Sequence, residues 1–175
     1  KIEDYPWDTG RMKKVIERVA KESGWGRSMP AGTALGFAAH KSFLTYVACV
    51  VEVNIGQDKK ISIPNVYYAV DCGLAVNVDR IKSQFEGGAQ FSASLALKST
   101  ITVKDGQVEQ GNFDGYQIIR MPDSPKQIHV HILDSDDKPT GVGEPPVPPF
   151  TPALCNAIYA VTGKRIYTLP IDLTV

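Results

Sequence analysis

With 175 residues, 43% of them hydrophobic and 22% charged, the chain has the length and composition of one globular domain, or of two closely packed lobes around a proper core. Its nineteen basic residues cancel nineteen acidic ones, so no long-range field draws in nucleic acid or an anionic membrane. No apolar run approaches the ~20 residues of a membrane span. No signal-peptide pattern is visible in a sequence that starts at Lys1, and the compartment stays open between cytoplasm and bacterial periplasm. Cys49, Cys72 and Cys155 lie far apart and lack the C-x-x-C spacing of zinc or redox sites. They read as buried, reduced thiols.

Met12, Val15, Ile16, Val19 and Ala20 recur at helical spacing behind Asp8-Thr9, with Gly24 placed as a terminator, and predict an amphipathic first helix. Residues 35–39 are too Gly-rich to read as a helix. From 45 to 55 the β-branched content is high, and Val47, Cys49, Val51, Val53 and Ile55 share one strand face. A turn over 56–60 leads into a second strand over 61–70, with Pro64 marking an edge or a bulge, so the pair reads as a hairpin. Asn77 is placed to cap a second helix beginning near Asp79. Asp105-Gly106 is the strongest short hairpin signal in the chain, and residues 113–119 read as a further short strand. Residues 127–133 alternate strictly, with Ile128, Val130 and Ile132 on one face and Gln127, His129 and His131 on the other. Thr151 and Pro152 read as N-cap and first residue of a last helix that Gly163 closes. The expected fold class is α+β, a mixed and mostly antiparallel sheet with about three packed helices.

Three features bear on chemistry. Gly87-Gly88 falls inside the second helix, where each glycine costs about 1 kcal/mol relative to alanine. Either a close helix crossing or a ligand lying on bared backbone offsets that cost, with Gln84 one turn earlier offering an amide that both donates and accepts. In Gly141-Val142-Gly143-Glu144-Pro145-Pro146 a carboxylate stands between flexible glycines and a proline that holds Glu144 extended. This is either a tight surface turn or a stiff mount for one acid. His129 and His131, two apart on a strand, are a possible metal pair, but no third ligand has suitable spacing, so no metal-ligating residue is assigned and a polar outer face is the expectation. There is no dinucleotide fingerprint, phosphate loop or nucleophile elbow, and His40 has no acid partner at triad spacing.

Taken together, Ala69-Val70-Asp71-Cys72-Gly73 through Asn77, Gln84-Phe85-Glu86-Gly87-Gly88, and Gly141 to Pro146 followed by Pro152-Ala153-Leu154 and Asn156-Ala157-Ile158 resemble the C-terminal part of molybdenum hydroxylase large subunits. The resemblance is to the isoquinoline 1-oxidoreductase-like branch of the xanthine oxidase and aldehyde oxidase family. It extends through Ala39-His40-Lys41-Ser42-Phe43, Lys104 to Gln110, Thr162-Gly163-Lys164-Arg165 and Leu169-Pro170-Ile171. It implies that residues 1–175 are the C-terminal portion of a molybdopterin-binding domain in a longer chain, inactive alone. It further implies Glu144 as the active-site base and Gln84 as a cofactor ligand, with the bared backbone at Gly87, Gly88 and Gly143 beside it. The implied cofactor is molybdenum on molybdopterin in a cytosine dinucleotide form. The implied partners are a small subunit carrying iron-sulfur clusters, the remainder of the large subunit, and a small-molecule substrate, an aldehyde or an N-heteroaromatic hydroxylated with water as oxygen source. Leu44 and Thr45 follow Phe43 where relatives often carry Gly and a small residue, and Val78 follows Asn77 where Pro is usual. The alternatives are a non-catalytic structural or assembly domain, or a small-molecule-binding module of the same fold.

Overall fold

The computed structural model describes residues 6–173. Its elements are α1 (Thr9–Ser23), β1 (Thr33–Ser42), β2 (Thr45–Ile55), β3 (Ile61–Ser62), β4 (Asn65–Asp71), α2 (Val78–Leu97), β5 (Val103–Lys104), β6 (Gln107–Val108), β7 (Gln127–Ile132) and α3 (Val147–Thr162). The main sheet runs β1-β2-β4-β7, with β3 also paired to β2. Every pairing in it is antiparallel except β4 with β7, which is parallel and reached through α2. The α+β class and the mixed, mostly antiparallel sheet follow the sequence expectation.

Strand β2 is the centre of three layers. Because side chains alternate across a strand, Val47, Cys49, Val51 and Val53 face α2 and α3, while Tyr46, Ala48 and Val50 face α1. Val15 and Val19 of α1 are fully buried against that second face, each contributing about 2 kcal/mol. The ends of α1 are those expected: Asp8 accepts from the Arg11 amide at 3.1 Å, and Gly24 closes the helix at φ 63°. Asn77 likewise caps α2, accepting from the Arg80 amide. Asp105 and Gly106 both take positive φ in the β5–β6 turn, as a two-residue hairpin requires.

The structure defines residues 35–39, which the sequence reads only as not helical, and corrects four expectations. Residues 35–39 form part of β1, and their small side chains reflect contact with α3. A Cβ on Gly36 would fall on the Ala153 carbonyl oxygen and the Ala157 amide nitrogen, so helix backbone lies directly on strand backbone there. Asn156 fastens the contact, its Nδ2 donating to the Phe37 carbonyl at 3.0 Å. Residues 61–70 are two strands, interrupted at Ile63-Pro64, because proline has no N–H for the ladder. Residues 113–119 form no strand, since turns closed onto the Asn112 carbonyl by Gly115 and Tyr116 take up that backbone. Helix α3 begins at Val147, with Pro146 as N-cap, Pro148 in its first turn and Pro152 inside it. Prolines fit the opening turn because N–H groups there have no intrahelical partner. The His129–His131 face is also half-covered rather than open: His129 stacks on Tyr67 at 4.7 Å, and His131 Nδ1 lies 3.9 Å from Glu22 of α1.

The glycines of β1 and α2 should therefore respond oppositely. Gly36→Ala, meeting backbone that cannot yield, is expected to destabilise the chain by about 3 kcal/mol or more. Gly87→Ala, whose Cβ meets nothing within 4 Å, should stabilise it by about 1 kcal/mol. Urea denaturation of the two variants checks both signs.

Candidate active site

Since β4 and β7 run parallel, their C-terminal ends open on one edge of the sheet, where the antiparallel register of β2 with β4 also brings the start of β2. Three connections meet there: residues 72–77 after β4, 133–146 after β7, and the Phe43-Leu44 turn between β1 and β2. Backbone hydrogen bonds knit them together. Leu74 N donates to Asp137 O at 2.8 Å, Thr140 N to Cys72 O at 2.9 Å, and Gly141 N to Phe43 O at 3.2 Å. The wholly buried Thr45 adds a hydroxyl bond to Gly141 O at 2.6 Å.

The chain beyond Glu144 is fixed as firmly. Val147 N closes a turn onto Glu144 O at 2.9 Å. The Pro146 carbonyl accepts from the buried Tyr68 hydroxyl at 3.1 Å. Burial pushes the Tyr68 phenol well above its ordinary range, so this hydroxyl keeps its proton to donate. The Pro146 ring rests on α2 at Gly88, where a Cβ would stand 2.5 Å from its Cγ. Backbone is thus held on both sides of Glu144 while the residue itself is exposed. Two of the first four residues of α3 are prolines, so this helix end offers few free N–H donors to compete for the carboxylate.

A groove of about 240 Å³ lies between this loop and the start of α2, and Gln84, Arg80, Ile81, Cys72 and Val142 all line it. Gln84 and the Glu144 loop therefore share one side of the molecule, with Val142 in the groove wall two residues before the acid. Gly143 is open, its Cβ position meeting nothing within 4 Å. The paired glycines part company. Gly88 is packed under Pro146, whereas Gly87 faces an adjoining groove lined by Lys126 and Ile128. Burial pushes the Cys72 thiol up, so at neutral pH it serves as apolar wall. Two residues lining the Gln84 groove are apolar yet largely exposed, Leu74 at 53% and Val76 at 77%. Among the described residues no group of three or more His, Cys, Asp and Glu side chains is arranged to hold a metal ion. The donors present, an amide, a guanidinium and bare glycine backbone, suit an organic cofactor with polar ring edges.

Sequence reasoning missed several supports of this site. Thr45 and Tyr68 look like ordinary strand residues, and nothing in their spacing marks their bonds to the loop. Phe43 and Leu44 take φ of 51° and 64°, a left-handed pair costing about 1–2 kcal/mol each in residues with a Cβ. Asp71, directly before Cys72, is buried in a two-pronged pair with Arg11, Nε to Oδ2 at 2.8 Å and Nη2 to Oδ1 at 2.6 Å, and also accepts from Gly73 N at 3.2 Å. Burial alone would push the Asp71 carboxyl up, but the bonds from Arg11 and Gly73 outweigh it and hold it below the usual carboxylate range.

The mixed sheet with its parallel crossover thus leaves a small groove of about 240 Å³ at the strand ends. Residues 11–125 match the model of the molybdopterin cofactor-binding domain family, and the chain belongs to that family. It is 34% identical over 160 residues to isoquinoline 1-oxidoreductase subunit beta of Brevundimonas diminuta, covering 89% of this chain and 20% of that one. It is 29% identical over 167 residues to the membrane-bound aldehyde dehydrogenase (pyrroloquinoline-quinone) of Gluconacetobacter polyoxogenes, covering 92% and 22%. The chain thus spans about a fifth of the length of these relatives. In fold it is similar to quinoline 2-oxidoreductase of Pseudomonas putida 86, with a TM-score of 0.61 and 21% identity over 72% of this chain and 17% of that one.

The Arg11–Asp71 pair sets a pH dependence. An Asp held below its unfolded value of about 3.9 contributes stability above that pH and loses it as pH falls toward the folded value. Wild-type stability should therefore drop below about pH 4, whereas Asp71→Asn should be about 3 kcal/mol less stable at neutral pH and flatter across the acid window. Denaturant titrations at pH 7 and pH 3 check this.

Proposed function

We propose that this chain, residues 1–175, is the C-terminal portion of the molybdopterin-binding domain of a longer molybdenum-dependent oxidoreductase. The complete enzyme hydroxylates an aldehyde or an N-heteroaromatic compound, with water as the source of oxygen. The observation that supports the reading is a groove that holds the Gln84 amide and has Val142 in its wall, two residues before Glu144, whose flanking backbone is held from both sides.

When bound, the molybdenum cofactor supplies the two-electron redox chemistry. The residues of this chain bind, aim and move a proton. The Gln84 side chain donates and accepts at once and so can hold a polar edge of the cofactor, with bare backbone at Gly143 and Gly87 as further contact. Gly88 acts indirectly, by letting Pro146 sit low enough to bring Glu144 over the same edge. Glu144 would accept a proton from the water-derived nucleophile at a carboxylate oxygen, with its backbone held on both sides. The apolar Leu74 and Val76 of the groove would exclude water once the rest of the protein covers them. Iron-sulfur clusters on a small partner subunit would take up the electrons, and the cofactor would be the cytosine dinucleotide form. The chain alone, about a fifth of the length of the relatives it matches, is inactive.

In the complete protein produced with its small subunit, Glu144→Gln should lower kcat by about 10²–10⁴-fold with molybdenum content unchanged, and Gln84→Ala should lower that content. Undiminished turnover in Glu144→Gln would remove the base assignment. Metal analysis finding no molybdenum, with a quinone or nothing in its place, would remove the cofactor assignment.

A further inference from the structure

Among the described residues, the outer side of β1 has no strand beside it. On its inner side Thr33 to Ser42 match Asn54 to Thr45 of β2 residue for residue, without a bulge. Which backbone groups face outward follows from the turn. Phe43 and Leu44 alone connect the strands, so Ser42 and Thr45 exchange hydrogen bonds across it, and alternation directs the even-numbered residues of β1 toward β2 and the odd-numbered ones away. Three bonds agree with this parity. Gly32 O receives Ile55 N at 2.8 Å, whereas Thr33 N turns back to Pro30 O at 3.0 Å and the Phe37 carbonyl accepts from Asn156. The N–H and C=O groups of Leu35, Ala39 and Lys41 and the N–H of Phe37 therefore point outward, and no described residue bonds to them.

An open edge is a template for another strand, and soluble proteins blunt theirs with prolines, bulges, charges or short length. Strand β1 has ten residues and no proline, and its one fixed charge, Lys41, is folded over the Trp7 and Tyr46 rings. Beside the edge, Trp25 meets Phe37 edge-on at 5.4 Å and is still 48% exposed, and Ala39 is exposed as well. Free backbone groups and an apolar flank thus lie together.

We propose that the outer edge of β1 pairs with an extended segment from the remainder of the longer chain, continuing the sheet along Leu35 to Lys41. The inference rests on the reading of this chain as part of a longer one. The relatives' length supplies the occupant, since about four fifths of such a protein lies outside these residues. The segment makes main-chain bonds to alternate residues of β1 and sets apolar side chains against Trp25 and Phe37. Because β1 seats α3 at Gly36 and its turn holds Gly141, this pairing also braces the Glu144 loop.

The test uses the complete protein produced with its small subunit. Hydrogen exchange resolved to single amides should show Leu35, Phe37, Ala39 and Lys41 exchanging roughly a hundredfold more slowly than unpaired surface amides. They should match Gly36, Ala38 and His40, which β2 protects in any case. A benzophenone-bearing residue substituted for Ala39 should crosslink on illumination to a peptide of the same polypeptide outside residues 1–175. Free exchange at the four outward amides overturns the proposal. So does a crosslink to the small subunit, to a second copy or to a peptide within residues 1–175. A complete protein with only the mass of residues 1–175 removes the longer-chain reading and the pairing with it, whereas a longer protein with unprotected amides removes the pairing alone.

Discussion

Two glycines allow backbone and ring to approach where any side chain would hold them apart, and the rest of the arrangement depends on that closeness. At Gly36 the backbone of α3 rests on β1, and at Gly88 the Pro146 ring rests on α2. Between them these contacts set the height and direction at which α3 leaves its loop. The loop carries Glu144 just before the helix begins, so the aim of the acid follows from how two helices seat on a sheet. Tyr68 ties this to the core. Its ring meets Phe85 of α2 edge-on at 5.3 Å while its hydroxyl holds the Pro146 carbonyl.

The site edge owes its existence to one topological choice. A wholly antiparallel sheet would send the segments after β4 and β7 to opposite ends. The crossover through α2 makes that pair parallel, and the two loops leave side by side. Strand β2 supplies the rigidity, being buried on both faces between α1 and the α2–α3 layer. Arg11 of α1 pairs with Asp71, which follows Tyr67 and Ala69 on the α1-facing side of β4, so the helix on the face away from α2 and α3 braces the end of β4 just before the groove wall begins.

Much of the fold was legible in the sequence wherever a local signal coincided with the tertiary demand. Asp8 and Gly24 around α1, Asn77 before α2, the alternation in β2 and β7, and Asp105-Gly106 all announce what they do. Where the demand came from a distant partner, local reading failed. Gly36 is small because α3 lies on it, some 120 residues away in sequence, as the bond from Asn156 to Phe37 records. The start of α3 was placed too late because Thr151-Pro152 imitates a helix opening, while Pro146 and Pro148 formed the real one. At the site, sequence singled out Glu144 and Gln84 by their flanks and by resemblance, and the structure sets Gln84 in the groove whose wall continues into the Glu144 loop. It could not separate Gly87 from Gly88, since which of two adjacent helical residues faces inward depends on what packs there. Nor could it find the bonds that Thr45, Tyr68 and Phe43 make to a loop roughly 80 to 100 residues downstream.

Four of the five residues from 145 to 149 are proline. Each pyrrolidine ring settles its own φ before any tertiary contact exists, so this segment surrenders little freedom when the chain folds. The acid at position 144 is consequently joined to a strut whose shape is written into covalent chemistry. A ligand arriving beside it spends none of its binding free energy on ordering that strut, and heat or mild denaturant should loosen the surrounding loops well before it bends.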